Sequence, residues 1–190
     1  MNFYKHTGKR IFDISIVFIS LIVLSPLYFF TAILIKLFDP GPIIFKQKRV
    51  GLNNIAFDFY KFRSMPVGTK NLPSDQVGKI NLTWIGKFIR RTSIDELPQL
   101  FNILKGDMSL VGPRPAIPTQ NELIDLRLEK NVFSVTPGLT GLAQVNSYDG
   151  MSIKAKVEFD AAYCEKITLV NDLKIILKTF TYLLKTPPVY

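Results

Sequence analysis

The chain has 190 residues, the size of one domain, and the apolar stretch from Ile11 to Phe38 takes a larger share of it than a soluble core would need. Hydrophobic residues make up 47%, yet 24 Lys and Arg against 15 Asp and Glu leave a formal charge of +9. Apolar and basic together point to an anionic surface, phospholipid headgroups or phosphorylated substrates, and the absence of any nucleic-acid motif sets nucleic acid aside.

The polar leader contains the only histidine, His6, beside Lys5, so metal chemistry based on histidine is excluded. Ile14 to Ile35 carries no charge. At about 1.5 Å per residue it is long enough to cross a hydrocarbon core of about 30 Å. It is too long for the apolar part of a cleaved signal peptide and lacks a small-residue cleavage site, so it is expected to stay in the mature protein. Ser25-Pro26 sits near its middle, where proline removes a backbone hydrogen bond and the serine hydroxyl can satisfy the freed carbonyl. Basic residues flank both ends: Lys5, Lys9 and Arg10 before it, Lys36, Lys46, Lys48 and Arg49 after it. The positive-inside bias therefore gives no direction. A kinked spanning helix and a re-entrant helix, with both ends on one face, fit these residues equally.

Asp39-Pro40-Gly41-Pro42 stops the helix. Ile43 to Val50 and Ile55 to Phe62 are rich in β-branched and aromatic residues, and Gly51-Leu52-Asn53-Asn54 between them supplies turn chemistry. The spacing predicts a β-hairpin that delivers Lys61 and Arg63 to its far end. Val67 to Asn81 reads as a long polar surface loop. Helical spacing follows over Trp84 to Arg91, over Ile94 to Lys105 with Gly106 as the stop, and over Thr119 to Lys130. Gly112-Pro113-Arg114-Pro115 and Pro137-Gly138-Leu139-Thr140-Gly141 are tight loops. Two more helices are predicted over Ser152 to Lys166, where the only cysteine, Cys164, serves as filler, and over Leu169 to Lys185. The last crowds Leu, Ile, Phe and Tyr on one side and carries Lys174, Lys178 and Lys185, which suits either a helix lying in the headgroup layer or a core-facing helix with solvated lysines. No repeat or linker divides the chain, so residues 1–190 read as one domain: a membrane helix over 11–38 and a soluble part over 39–190.

Asp95-Glu96 are adjacent carboxylates behind Arg90-Arg91. Ser93 with Glu96 three residues on also reads as a capping box. In a helical turn the two acids project about 100° apart, so they can border one site but are not expected to make the same contact. Lys61, Arg63, Arg90, Arg91 and Arg114 are cations from distant parts of the chain. Arg114, locked between two prolines, would point a guanidinium fork at a phosphate. Carboxylate plus several cations is what phosphoryl transfer requires.

These strings, in this order, resemble the small monotopic phosphoglycosyl transferases, the bacterial sugar transferases that make polyprenyl-diphosphate-linked sugars. The resemblance runs over nearly the whole chain. It includes Lys9-Arg10 and Asp13, Ser25-Pro26, Ile44 to Gly51, Tyr60 to Met65, Ser93 to Leu100, Lys105 to Pro115 and Pro137 to Gly141. It implies a mostly helical α+β fold, monotopic in the membrane, with a re-entrant N-terminal helix broken at Ser25 and Pro26, a β-hairpin and interfacial amphipathic helices. It implies Asp95 and Glu96 as a catalytic dyad, with Mg2+ held in part by Asp95. Lys61, Arg90 and Arg114 match positions that line the phosphate site. The implied substrates are a UDP-sugar and polyprenyl phosphate, giving polyprenyl-diphosphosugar and UMP through an aspartyl-phosphosugar, on the cytoplasmic face of a bacterial inner membrane and in contact with its phospholipids.

Thr136, Leu142, Ser147 and Tyr148 depart from the family pattern, which bears on nucleotide and sugar contacts in that loop. Two rivals stay open: a membrane glycosyltransferase that releases UDP, and a non-catalytic membrane scaffold that would tolerate loss of Asp95 and Arg114. The sugar, the polyprenol and the oligomeric state, a homodimer included, are not written in the sequence.

Overall fold

The computed structural model describes residues 3–69, 82–146 and 151–183. Most of the expected Val67 to Asn81 loop, Ser147, Tyr148 and Lys185 lie outside the described residues. A short π-helical turn, Tyr4–Gly8, leads into α1, Lys9–Phe38. Together they are long and apolar enough to cross a membrane. Phe18, Ile22 and Phe29 are each more than half exposed, which fits side chains that meet lipid rather than protein.

α1 runs through Ser25-Pro26 without interruption, so the expected break is not a gap in the helix. Pro26 lacks the N–H that would bond the Ile22 carbonyl four residues back, and the Ser25 hydroxyl donates to that same carbonyl at 2.8 Å. Two of the cations that flank the apolar run are bound inside the protein. Lys9 is buried and donates to Asp172 at 2.6 Å. Arg10 donates to the carbonyls of Ile103 and Leu104 at 2.5 and 2.8 Å. It thereby satisfies carbonyls at a helix C-terminus, where positive charge is favoured.

β1, Ile44–Val50, and β2, Ala56–Phe62, form the expected antiparallel hairpin, with Ile44 opposite Phe62 and Val50 opposite Ala56. Asn53 and Asn54 take positive φ in its turn, a conformation asparagine tolerates. α2 is Trp84–Arg91, capped by the Thr83 hydroxyl accepting from Gly86 N–H. The helix expected over Ile94 to Lys105 is two pieces: a 3₁₀ turn, Ile94–Glu96, and α3, Gln99–Lys105. Pro98 separates them, and Gly106 at φ +94° ends α3 as expected of a left-handed C-cap.

The Pro137 to Gly141 segment is more than a loop. β4, Gly138–Thr140, pairs in parallel with β3, Ser109–Val111, and between them lies α4, Asn121–Glu129. A Cβ on Gly138 would strike the backbone of Gly112, so the two segments approach closely only because both positions are glycine. α5, Leu142–Asn146, α6, Ile153–Glu165, and α7, Leu169–Leu183, complete the chain.

The largest apolar cluster joins Val17 of α1 to Phe59, Leu100, Ile103, Val111, Tyr163 and Ile175. A second packs Ile35 against Phe62, Ile85 and Ile89. Both halves of α1 therefore rest on the same soluble part. On α7, Ile175 is buried while Val170, Leu177 and Phe180 are open and lie beside exposed Lys174 and Lys178.

Candidate active site

Three separate elements bring their charges to one place. β2 supplies Lys61. Its strand is held against α3 by buried Asn102, whose amide donates to the Asp58 carbonyl at 2.6 Å and accepts from Tyr60 N–H at 3.0 Å. The 3₁₀ turn supplies Asp95 and Glu96, and its entry residue Ser93 is left-handed, φ 55°, with no capping bond from its side chain. The capping box is therefore not formed. The Glu96 side chain is engaged instead by Lys61 and Arg114.

Lys61 Nζ donates to Glu96 at 2.7 Å and reaches Asp95 at 3.3 Å. Arg114 donates to the same Glu96 oxygen at 2.7 Å. The two acids thus do share a contact, against the expectation from helical projection, because one long ammonium side chain spans the angle between them. Asp95 is buried, and burial pushes its carboxyl above the ordinary range; Lys61 opposes this, while the like charge of Glu96 adds to it. Burial also works against charge on Glu96, but Arg114 and Lys61 more than offset it and hold that carboxyl well below the usual range. Arg90 is near enough to favour the ionised form of Asp95.

Arg114 is presented by a loop fixed at every residue. Gly112 N–H donates to the Thr140 carbonyl at 2.9 Å, and Gly138 N–H to the Pro113 carbonyl at 2.9 Å. Arg127 donates to the Arg114 carbonyl at 2.8 Å, Arg49 to the Pro115 carbonyl at 3.2 Å, and Val50 N–H to the Ala116 carbonyl at 2.9 Å. The rigidity expected of Pro113 and Pro115 is reinforced from outside the loop.

The model of the family described as bacterial sugar transferase matches residues 4–186. The chain belongs to the bacterial sugar transferase family. It is 42% identical over 183 residues to a UDP-N-acetylgalactosamine-undecaprenyl-phosphate N-acetylgalactosaminephosphotransferase of Aeromonas hydrophila, covering 93% of this chain and 43% of that protein. It is 39% identical over 173 residues to the uncharacterized sugar transferase EpsL of Bacillus subtilis, covering 90% of this chain and 84% of that protein. It is 37% identical over 191 residues to a UDP-glucose:undecaprenyl-phosphate glucose-1-phosphate transferase of Caulobacter vibrioides, covering 96% and 72%. The chain spans less than half the length of several curated relatives it matches, the Aeromonas hydrophila protein among them.

Within this bacterial sugar transferase, Lys61, Asp95, Glu96 and Arg114 come together, with Arg90 in electrostatic reach. Arg63 does not join them: it is buried and bonds the backbone and carboxylate of Asp39, tying the end of β2 to the end of α1. Arg91 is exposed. Asp13, part of the resemblance but given no role there, accepts from the Ser109 hydroxyl at 2.6 Å. Sequence reasoning missed the pair Arg127–Asp160 at 2.5 Å. Nothing in local spacing marks these two, since they lie far apart along the chain. Among the described residues no three His, Cys, Asp or Glu side chains form a metal cluster. Asp95 is the carboxylate in this group that would hold Mg2+ together with substrate phosphates, a common way for Mg2+ to be bound.

Proposed function

We propose that this protein transfers a sugar phosphate from a UDP-sugar to polyprenyl phosphate, with Asp95 as the nucleophile. The observation that carries this reading is a buried carboxylate with Lys61 at 3.3 Å, beside a second carboxylate that holds Lys61 and Arg114 at 2.7 Å. The names of relatives that use undecaprenyl phosphate support the substrate class. An oxygen of Asp95 attacks the sugar-bearing phosphorus, the bond to the bridging oxygen breaks, and UMP leaves with the electron pair. An oxygen of polyprenyl phosphate then attacks the same phosphorus, and the Asp95 carboxylate is released. Lys61 and Arg114 neutralise the phosphate oxygens and orient them. Mg2+ at Asp95 would supply further neutralisation. Glu96, held ionised by two cations, is a poor proton acceptor, so its role is to orient Lys61 and Arg114.

Polyprenyl phosphate is anchored in the bilayer, and seating the enzyme there holds the site at the height of that phosphate. A re-entrant α1 is supported by its contacts. Lys9 and Asp13 near one end, and Tyr28 and Ile35 near the other, all bind the same soluble part. A straight span would separate Lys9 from Ile35 by about 39 Å, more than the hydrocarbon thickness. Both ends and the site then lie on the cytoplasmic face, with α7 in the headgroup layer. A cysteine replacing Lys5 that is labelled from the periplasmic side of intact cells would refute this topology.

The chemistry is tested by incubating the protein with a UDP-sugar alone, identifying the nucleotide released, and mapping any added mass on intact protein to a peptide. UMP and a phosphosugar on Asp95, both absent in Asp95→Asn, are expected. Release of UDP, or an adduct that persists in Asp95→Asn, would overturn the assignment.

A further inference from the structure

Arg127 and Asp160 form the most deeply buried ion pair among the described residues, at 2% and 1% side-chain exposure, and no step of the proposed chemistry uses them. Arg127, on α4, donates from Nε and Nη2 to one oxygen of Asp160, on α6, at 3.0 and 2.5 Å. Its remaining nitrogen, Nη1, donates to the backbone carbonyl of Arg114 at 2.8 Å. Val50, Val132 and Phe133 line the same small cavity, so the neighbourhood is otherwise suited to apolar packing. Removing two charges from water is costly, and apolar side chains of similar volume usually stabilise a fold as well or better. Stability alone does not explain this pair. A guanidinium does what an apolar side chain or an ammonium cannot: its planar fork reaches a carboxylate and a carbonyl in two fixed directions at once.

We infer that Arg127, oriented by Asp160, is a positioning residue that fixes the Arg114 backbone and so the direction in which the Arg114 guanidinium meets the substrate phosphate. The inference rests on the transferase reading above. Two prolines limit φ at residues 113 and 115, but a peptide plane can still tilt between them. The Arg127 bond is the restraint applied to the carbonyl of the residue whose side chain acts.

The test combines Arg127→Met/Asp160→Leu, which replaces both charges with apolar volume, and Arg127→Lys, which keeps the pairing with Asp160. Each is made in the unmodified protein and in an Arg114→Lys background, with UMP release and thermal unfolding in detergent measured on all. The double replacement should unfold near the unmodified protein yet lose about 10²-fold in turnover, as misplacement of a binding group does. Arg127→Lys should fall in the same direction. In the Arg114→Lys background the same changes should cost less than about threefold, because the group they position is already gone. Equal losses in both backgrounds, full turnover by the folded double variant, or full rescue by Arg127→Lys would each overturn the inference. If the double variant does not fold, Arg127→Lys in the two backgrounds decides. Absence of UMP release from the unmodified protein would instead refute the transferase reading, and the positioning role with it.

Discussion

Glu96→Gln separates orientation from nucleophilic attack. The change keeps the shape and an accepting oxygen but removes the charge that holds Lys61 and Arg114, each at 2.7 Å. A hydrogen bond to a charged group contributes about 1.5–3 kcal/mol and a neutral one about 1, so two bonds lose about 2 kcal/mol in a dry site. Lys61 and Arg114 are 20% and 37% exposed, and solvent screening brings the stability cost down to about 1 kcal/mol. The same change takes a negative charge away from Asp95, which eases ionisation of that buried carboxyl. The phosphosugar adduct on Asp95 should therefore still form when lipid is withheld, while steady turnover falls about 10²-fold because two cations are misplaced.

The stability difference has a defined pH dependence. Glu96 is held below the ordinary glutamate value of 4.5, so its contribution is complete above that value and is lost as pH falls through the folded value. Thermal unfolding in detergent should show the unmodified protein ahead of Glu96→Gln at pH 7, with the gap narrowing below pH 4.5. Unfolding gaps equal at pH 7 and pH 3.5, or turnover unchanged in the variant, would refute the orienting role.

Excess EDTA should abolish turnover, restored by Mg2+, because clustered phosphates and a carboxylate nucleophile repel one another without a hard cation; full activity in EDTA would refute the metal dependence. Arg114→Lys should lose about 10²-fold in UMP release despite keeping its charge, since an ammonium cannot reproduce a planar fork, and near-normal rates would make Arg114 structural. Cys164 is pushed up to about 12 by burial and the nearby charge of Asp160. At pH 8 it should therefore alkylate about 10³-fold more slowly than a free thiol and speed up about tenfold per pH unit; rapid labelling at pH 8 would show the thiol to be open.

Much of the architecture is local and was legible as such. The 22 uncharged residues from Ile14 to Ile35, the turn chemistry of Gly51 to Asn54, and the stop at Gly106 each carry their own signal, and α1, the hairpin and the end of α3 appear where those signals lie. The Ser25 hydroxyl answers the carbonyl that Pro26 leaves without its usual donor because both groups lie within one helical turn. Asp95, Glu96, Lys61 and Arg114 were legible through the order of strings shared with a family. Their convergence was not, because a cation's partner is set by the fold and not by spacing.

Only the tertiary structure decided the rest. Arg63 and Lys61 look alike in sequence, yet one ties β2 to the end of α1 and the other bridges two carboxylates. Ser93 and Glu96 carry a capping pattern that a left-handed turn cancels. β3 and β4 are three residues each, too short for a periodic signal, and exist because glycines let Gly112 and Gly138 approach. Arg127 and Asp160 lie 33 positions apart and have no local reason to be charged. Short-range chemistry is fixed by neighbours in the chain, whereas the cost of burying a charge is offset only by partners that folding brings from far away.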